Sequence, residues 1–334
     1  MKRFTLAALV VAAVLCVVGL SACGASNGTA SGNATGDSSD ADKVKVVCAT
    51  FPAYDWVRQV VGDESDHVGI TYLMGNGVDL HSYQPSVEDV ARIADADLFV
   101  YVGGESDQWP ADAVKAANNP RLHSLSLLET VGDAAVEEEV VEGMQSNAQD
   151  EAGEDEAYDE HVWLSLHNAQ TLVAALANEL ASIDPERAAT YEANAQTYAS
   201  ELADLDARFA EAIRDAPHDT LLFADRFPFR YVTRDYDLNY YAAFAGCSAE
   251  TEASFDTVAF LAQKLDELKL NAVLVLENSD QKMAQTVIKS TAKKDQAVLV
   301  VDSLQSTTQE EIDAGKTYID AMEKNLSVIV EALS

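Results

Sequence analysis

From Val44 onward, short runs of β-branched and other apolar residues alternate with stretches whose apolar positions recur every three or four residues. "VKVVCATF" (44–51) reads as a buried strand, and "AYDWVRQVVGDE" behind it as a helix that stops at Gly62 and Asp63. "VGITYLM" (68–74), "DLFVYVG" (97–103) and "LHSLSLL" (122–128) repeat the strand pattern. Between them Ser86, with Asp89 three residues on, makes a capping box for the helix "VEDVARIADA", and a further helix begins after Trp109-Pro110. Ser165 can cap a helix whose apolar face runs Ala169, Leu172, Val173, Leu176, Leu180 and Ile183.

Residues 184–216 read as one uninterrupted helix with Asp184 as N-cap and Pro185 in its first turn. At ~1.5 Å per residue it would be a rod of ~45 Å. The alternation then resumes, with strands "TLLFADR", "NYYAAFAG", "NAVLVLE" and "QAVLVVDS". Helices fall between and after them, from about Phe229, from Ser254 to Leu268, from Asp280 and finally from about Thr308. Strand and helix in alternation predict the α/β class with parallel sheets covered on both faces. The roughly 290 residues involved exceed one typical core. The expectation is therefore two lobes, 44–183 and 217–334, each a mostly parallel sheet flanked by helices, joined by the long rigid helix 184–216.

Two segments stand outside that order. Lys2 and Arg3 precede an apolar run from Leu6 to Leu20, too short for the ~18 to 20 residues of a spanning helix and flanked like an export signal. Leu20-Ser21-Ala22-Cys23 resembles the bacterial lipobox, where cleavage precedes a cysteine that receives lipid. Residues 1–22 are thus expected to be a signal peptide and 23–43, rich in Gly, Ser, Asn and Ala, a flexible tether. The protein is expected outside the cytoplasm, anchored to the cell membrane through Cys23. The second segment, 133–160, is dense in Glu and Asp with little to bury, and reads as a mobile acidic surface loop.

The formal net charge of −34 excludes nucleic-acid partners, which would be repelled, and suits an exported protein that attracts cations. Of four cysteines, Cys16 lies in the signal and Cys23 at the anchor, which leaves Cys48 and Cys247 free to pair in an oxidising compartment.

Candidate chemistry centres on histidine. His161 and His167 cannot share a site, because six residues on a helix rotate the side chain by ~600° and on a strand separate the two by ~20 Å. His161 ends a loop just ahead of a helix, and His81 does the same upstream of Ser86. Two such loop ends could converge at the rim of one lobe, where α/β folds place ligands. His167, in a first helical turn, reads as solvent-facing. No His-Glu-x-x-His run, nucleophile elbow or phosphate-cradling glycine loop is present, so the residues do not point to an enzyme.

The stretches "VVCATFPAYDWVRQVVGD", "VDLHSYQPSVEDVARIADADLFVYVGG" and "EHVWLSLHNAQTLVAALANELASIDPERAATYEAN" resemble the zinc and manganese solute-binding lipoproteins of bacterial ABC transporters. The resemblance implies two α/β lobes, a rigid connecting helix and one metal ion held between the lobes by a monomer that delivers it to a membrane permease. His81 and His161 match the first two ligands, and Asp302 stands where an acidic fourth ligand is often found. The third place, usually His or Glu, holds Arg226, which cannot ligate a cation. Asp225 is the expected replacement, with water or Glu277 as substitutes, and Arg226 could instead pair with one of the carboxylates. Two imidazoles and carboxylates suit Zn²⁺ and also Mn²⁺, with the affinity order favouring zinc. A manganese receptor or surface adhesin on the same scaffold is the alternative, and a zinc hydrolase the remote one.

Overall fold

The computed structural model describes residues 43–104, 108–145, 157–248 and 253–334. The expected signal peptide, Cys23 and the tether as far as residue 42 lie outside the described residues, as does 146–156 of the acidic stretch.

The first sheet is built from β1 (Val44–Cys48), β2 (Val68–Tyr72), β3 (Leu98–Tyr101) and β4 (His123–Ser126), in the order β2-β1-β3-β4 with every pairing parallel. The second is built from β5 (Thr220–Phe227), β6 (Asn239–Ala245), β7 (Ala272–Leu276) and β8 (Ala297–Val301), in the order β6-β5-β7-β8, again all parallel. Each strand order starts at its middle and works outward, which is how parallel strands with helical crossovers are laid down. The two-lobed α/β architecture is as the hydrophobic pattern predicts.

Helices α1 (Phe51–Val61), α2 (Val87–Ala94), α3 (Trp109–Ala117) and α4 (Leu127–Val131) serve the first lobe. The capping box forms as expected, with Ser86 Oγ accepting from Asp89 N and Asp89 accepting from Ser86 N. Next come α5 (Leu166–Ile183), capped by Ser165, and α6 (Ala188–Arg214). The connector starts later than the sequence suggests. Asp184 ends α5 instead of opening α6, and its carboxylate accepts from the Arg187 guanidinium and the Tyr191 hydroxyl, which holds residues 184–187 in a tight turn. The 27 residues of α6 still make a rod of about 40 Å. Its buried stripe of Tyr191, Ala195, Tyr198, Leu202, Leu205, Phe209 and Ile213 keeps one face against α1 and α5, and later against a helix of the second lobe.

The second lobe carries α7 (Arg230–Asp235), α8 (Phe255–Leu268), α9 (Lys282–Ser290), α10 (Gln309–Asp313) and α11 (Tyr318–Ala332). The single last helix expected from Thr308 is two helices, because Gly315 at φ +98° takes a backbone conformation no helix accommodates. The helix reached by α6 is α11.

Buried side chains of one continuous cluster run from Val46 and Phe99 in the first sheet through α1, α5 and α6 to Phe223, Tyr318 and Ile329. Three contacts pin the lobes within it. Trp56 packs edge-on against Tyr318 with centroids 5.1 Å apart, Trp163 Nε1 donates to Ser303 O at 2.9 Å, and the Tyr318 hydroxyl donates to Trp163 O at 2.6 Å. Opening the lobes widely would expose this shared core, so the fold favours small relative movements.

Candidate metal centre

His81 sits in a short 3-10 turn, Leu80–Ser82, whose start is capped by Asp79 Oδ1 accepting from His81 N at 3.0 Å. Buried Leu80 anchors the turn, and the His81 side chain is only 7% exposed. His161 is fully buried at the head of the turn Val162–Leu164 that leads into α5. Asp159 Oδ1 accepts from both the His161 backbone N–H, at 2.8 Å, and its ring Nδ1, at 3.0 Å. A carboxylate can only accept here, so the Nδ1 proton is fixed and Nε2 is the atom presented inward.

The two inward nitrogens, His81 Nε2 and His161 Nε2, are 3.3 Å apart. Two nitrogens each about 2.0–2.1 Å from one tetrahedral zinc ion are separated by about 3.3 Å, so the pair is already spaced for a shared cation. Cys247 comes from the other lobe, two residues beyond β6. Among the described residues, His81, His161 and Cys247 form the group whose donor atoms all lie within 4.8 Å of one another. The Cys247 backbone N–H donates to Glu138 Oε1 at 3.0 Å. Gly246 lets the strand end pass the ring, since a Cβ there would lie 3.0 Å from His161 Cε1 and 2.8 Å from Phe227 O.

The electrostatics fit a site that takes up a cation. Burial, followed by the charge of the neighbouring imidazole, holds the His81 pKa down to about 3. Burial works against the charged form of His161 too, but the charge and hydrogen bond of Asp159, with Glu160 beyond, outweigh it and raise the value. Burial pushes the Cys247 thiol well up, and the charges of Glu138, Asp159 and Glu160 push it further. Beside the centre a cavity of about 840 Å³, lined among others by Asp79, His81, Arg226, Asp280 and Lys282, gives it an approach.

Not every expected ligand joins this group. The β5–β6 register shifts between Phe223 and Arg226, which turns Asp225 back onto the strands. Its oxygens accept from Arg226 N at 2.9 Å and from Leu276 N at 3.2 Å. Asp302 at the end of β8 accepts from Leu304 N and pairs with Lys316 Nζ at 2.7 Å. Glu277 accepts from Ser303 N, Ser303 Oγ and Ser306 Oγ, and its pKa is raised by burial and by Asp302. Arg226 pairs across the lobes with Asp79 at 2.5 Å, so the arginine at the third place meets a carboxylate that the sequence did not single out. His167 is more than half exposed beside Asp206, as expected of a bystander.

Two further expectations need correcting. Cys48 and Cys247 are both free: Cys48 is sealed inside β1 within the first sheet, whereas Cys247 lies with the histidines of the cleft. The end of the acidic stretch is no surface loop, because Asp159 and Glu160 are buried at 1% exposure against the site. Cys247, Asp159 and Glu160 are the members that sequence reasoning missed. The signals for them were an acidic pair directly before His161, and a cysteine just past a strand end of the second lobe.

The fold and site together define a two-lobed α/β binding protein with a cation-sized donor cluster where the lobes meet. The chain belongs to the family described as zinc-uptake complex component A, periplasmic, whose model matches residues 46–332. It is 30% identical over 293 residues to the zinc-binding protein AdcA of Streptococcus pyogenes serotype M3, covering 86% of this chain and 55% of that protein. It is 29% identical over 318 residues to the high-affinity zinc uptake system protein ZnuA of Bacillus subtilis, covering 95% of each. The Zn(II)-bound ZnuA-like domain of Streptococcus pneumoniae AdcA superposes with a TM-score of 0.68 at 29% identity, over 87% of this chain and 99% of that one. The chain thus spans about half the length of the AdcA relatives and nearly the whole of the Bacillus protein. Among the described residues no helix is long and apolar enough to cross a membrane.

Proposed function

We propose that this chain is the extracytoplasmic zinc receptor of an ABC importer, capturing Zn²⁺ between its lobes and handing it to a membrane permease. The observation that carries the reading is the 3.3 Å approach of His81 Nε2 and His161 Nε2, on two loops of the first lobe that face the second lobe's strand ends. Two imidazole nitrogens at that spacing suit a borderline cation such as zinc. The zinc named in the relatives' descriptions supports the same ion, and the full-length match to the Bacillus uptake protein supports the transport role. The metal is cargo, and the site needs no reacting group beside it, so the chain acts as a binder and not as a catalyst.

In this reading residues 1–22 direct export, lipid on Cys23 holds the protein at the membrane, and 23–43 let a monomer reach its permease. The shared core beneath the lobes limits opening, so release comes from small tilts and loop movement at Asp79–Ser82 and around Cys247. The test is cellular. Cells lacking this chain should import less radioactive zinc under zinc limitation, with import restored by the wild-type chain and not by His161→Ala; equal import by all three strains would refute the role.

A further inference from the structure

We propose that Cys247 binds the metal as a thiolate, the third protein ligand and the one supplied by the second lobe, and that this makes the site selective for zinc and softer ions over manganese. The proposal rests on the zinc-receptor reading and gives that site its chemical preference. Among the described residues, Cys247 is the donor from the second lobe that lies within 4.8 Å of both histidine donors. Its place is fixed from two sides, by Glu138 Oε1 on its own N–H and by Gly246 running against the His161 ring.

Among the described residues, Glu160 lies on the outer side of His81, 3.9 Å from its Nδ1, and four further carboxylates of the cleft that would make a harder site are engaged elsewhere. Asp79 faces the Arg226 guanidinium, Asp302 faces Lys316, Glu277 is taken up by Ser303 and Ser306, and Asp225 caps backbone amides. Arg226 and Lys316 thus each neutralise an oxygen donor that manganese would prefer. Two imidazoles and a thiolate leave one tetrahedral position, which water or a small anion entering from the adjoining cavity can fill. Thiolate favours zinc and softer ions, and manganese already stands lowest in the divalent affinity order. In the binding step the Cys247 S–H bond breaks, its proton leaves to solvent, and the sulfur lone pair forms the metal bond, with no change of oxidation state.

The experiment uses the full chain loaded with cobalt(II) as a spectroscopic substitute for zinc. A thiolate-to-cobalt charge-transfer band in the near ultraviolet is expected, absent from Cys247→Ser, whose zinc affinity should fall by about 100-fold or more, beyond the loss seen for outer-shell changes. Manganese in large excess should not displace zinc. Because the band is read on the wild-type chain, the test holds even where the serine variant folds poorly. Cobalt bound without the band, yet lost in His161→Ala, overturns the thiolate ligand and leaves the receptor reading intact. A wild-type chain that binds neither cobalt nor zinc overturns both.

Discussion

One oxygen of Asp159 holds His161 at two points, its backbone N–H at 2.8 Å and its ring Nδ1 at 3.0 Å. Main chain and imidazole are thereby set by a single buried carboxylate, and the free nitrogen of the ring is aimed at His81. Carboxylates in this outer position raise ligand basicity and fix ring orientation.

Asp159→Asn should therefore lower zinc affinity by about 10- to 100-fold while leaving the fold in place. A competition titration against a chromophoric chelator measures it. Unchanged affinity would mean that the ring is oriented by its packing on Trp163 alone.

Gly246→Ala tests the close approach of the second lobe to the same ring. The added methyl would meet Phe227 O at 2.8 Å and His161 Cε1 at 3.0 Å, so either the strand end or the imidazole must shift. The expected result is a loss of zinc affinity of at least the same order as for Asp159→Asn, about 10-fold. Its far-ultraviolet circular dichroism should match the wild type.

The pair of Asp79 and Arg226 joins the His81 turn to β5, with both side chains 19% exposed. Arg226→Met strands the Asp79 carboxylate in a partly buried place and should destabilise the chain by about 1–3 kcal/mol in urea denaturation. Asp79→Asn added to Arg226→Met should recover part of that loss. Additive losses in the double variant would show that the two residues do not interact.

Zinc should also raise thermal stability through mass action. At free zinc about 100-fold above Kd, the folded state gains about 2.7 kcal/mol, and Tm rises with it. A chelator should return Tm to its starting value, and His161→Ala should show no response to zinc. A rise of equal size in that variant would place the stabilising metal elsewhere.

The fold was legible in the sequence because its signals are local. Ser86 with Asp89, Ser165 and Ser254 mark helix starts that form as expected, and the apolar runs of β1, β3 and β7 are the buried strands they resemble. His81 and His161, whose Nε2 atoms lie 3.3 Å apart, stand out in the sequence for a similar reason, each at a loop end entering a helix. The misplaced residues are those whose role depends on a distant partner. Asp184 carries an N-cap signal, but Arg187 and Tyr191 claim its carboxylate. Asp225 and Asp302 have the right residue type at the right strand ends, yet a register shift turns one inward and Lys316 captures the other. Cys247 carries no motif; only the convergence of two lobes shows that its neighbours are histidines and not Cys48.

If His81 and His161 jointly hold one zinc ion, with Asp225 and Asp302 outside its coordination, the four residues must separate cleanly by metal content. Elemental analysis of the full chain after zinc loading and removal of excess reads this most directly. Wild type, Asp225→Ala and Asp302→Asn should each retain one zinc per chain, and His81→Ala and His161→Ala none. Zinc retained by both histidine variants, or absent from the wild type, would contradict a centre built on the two imidazoles.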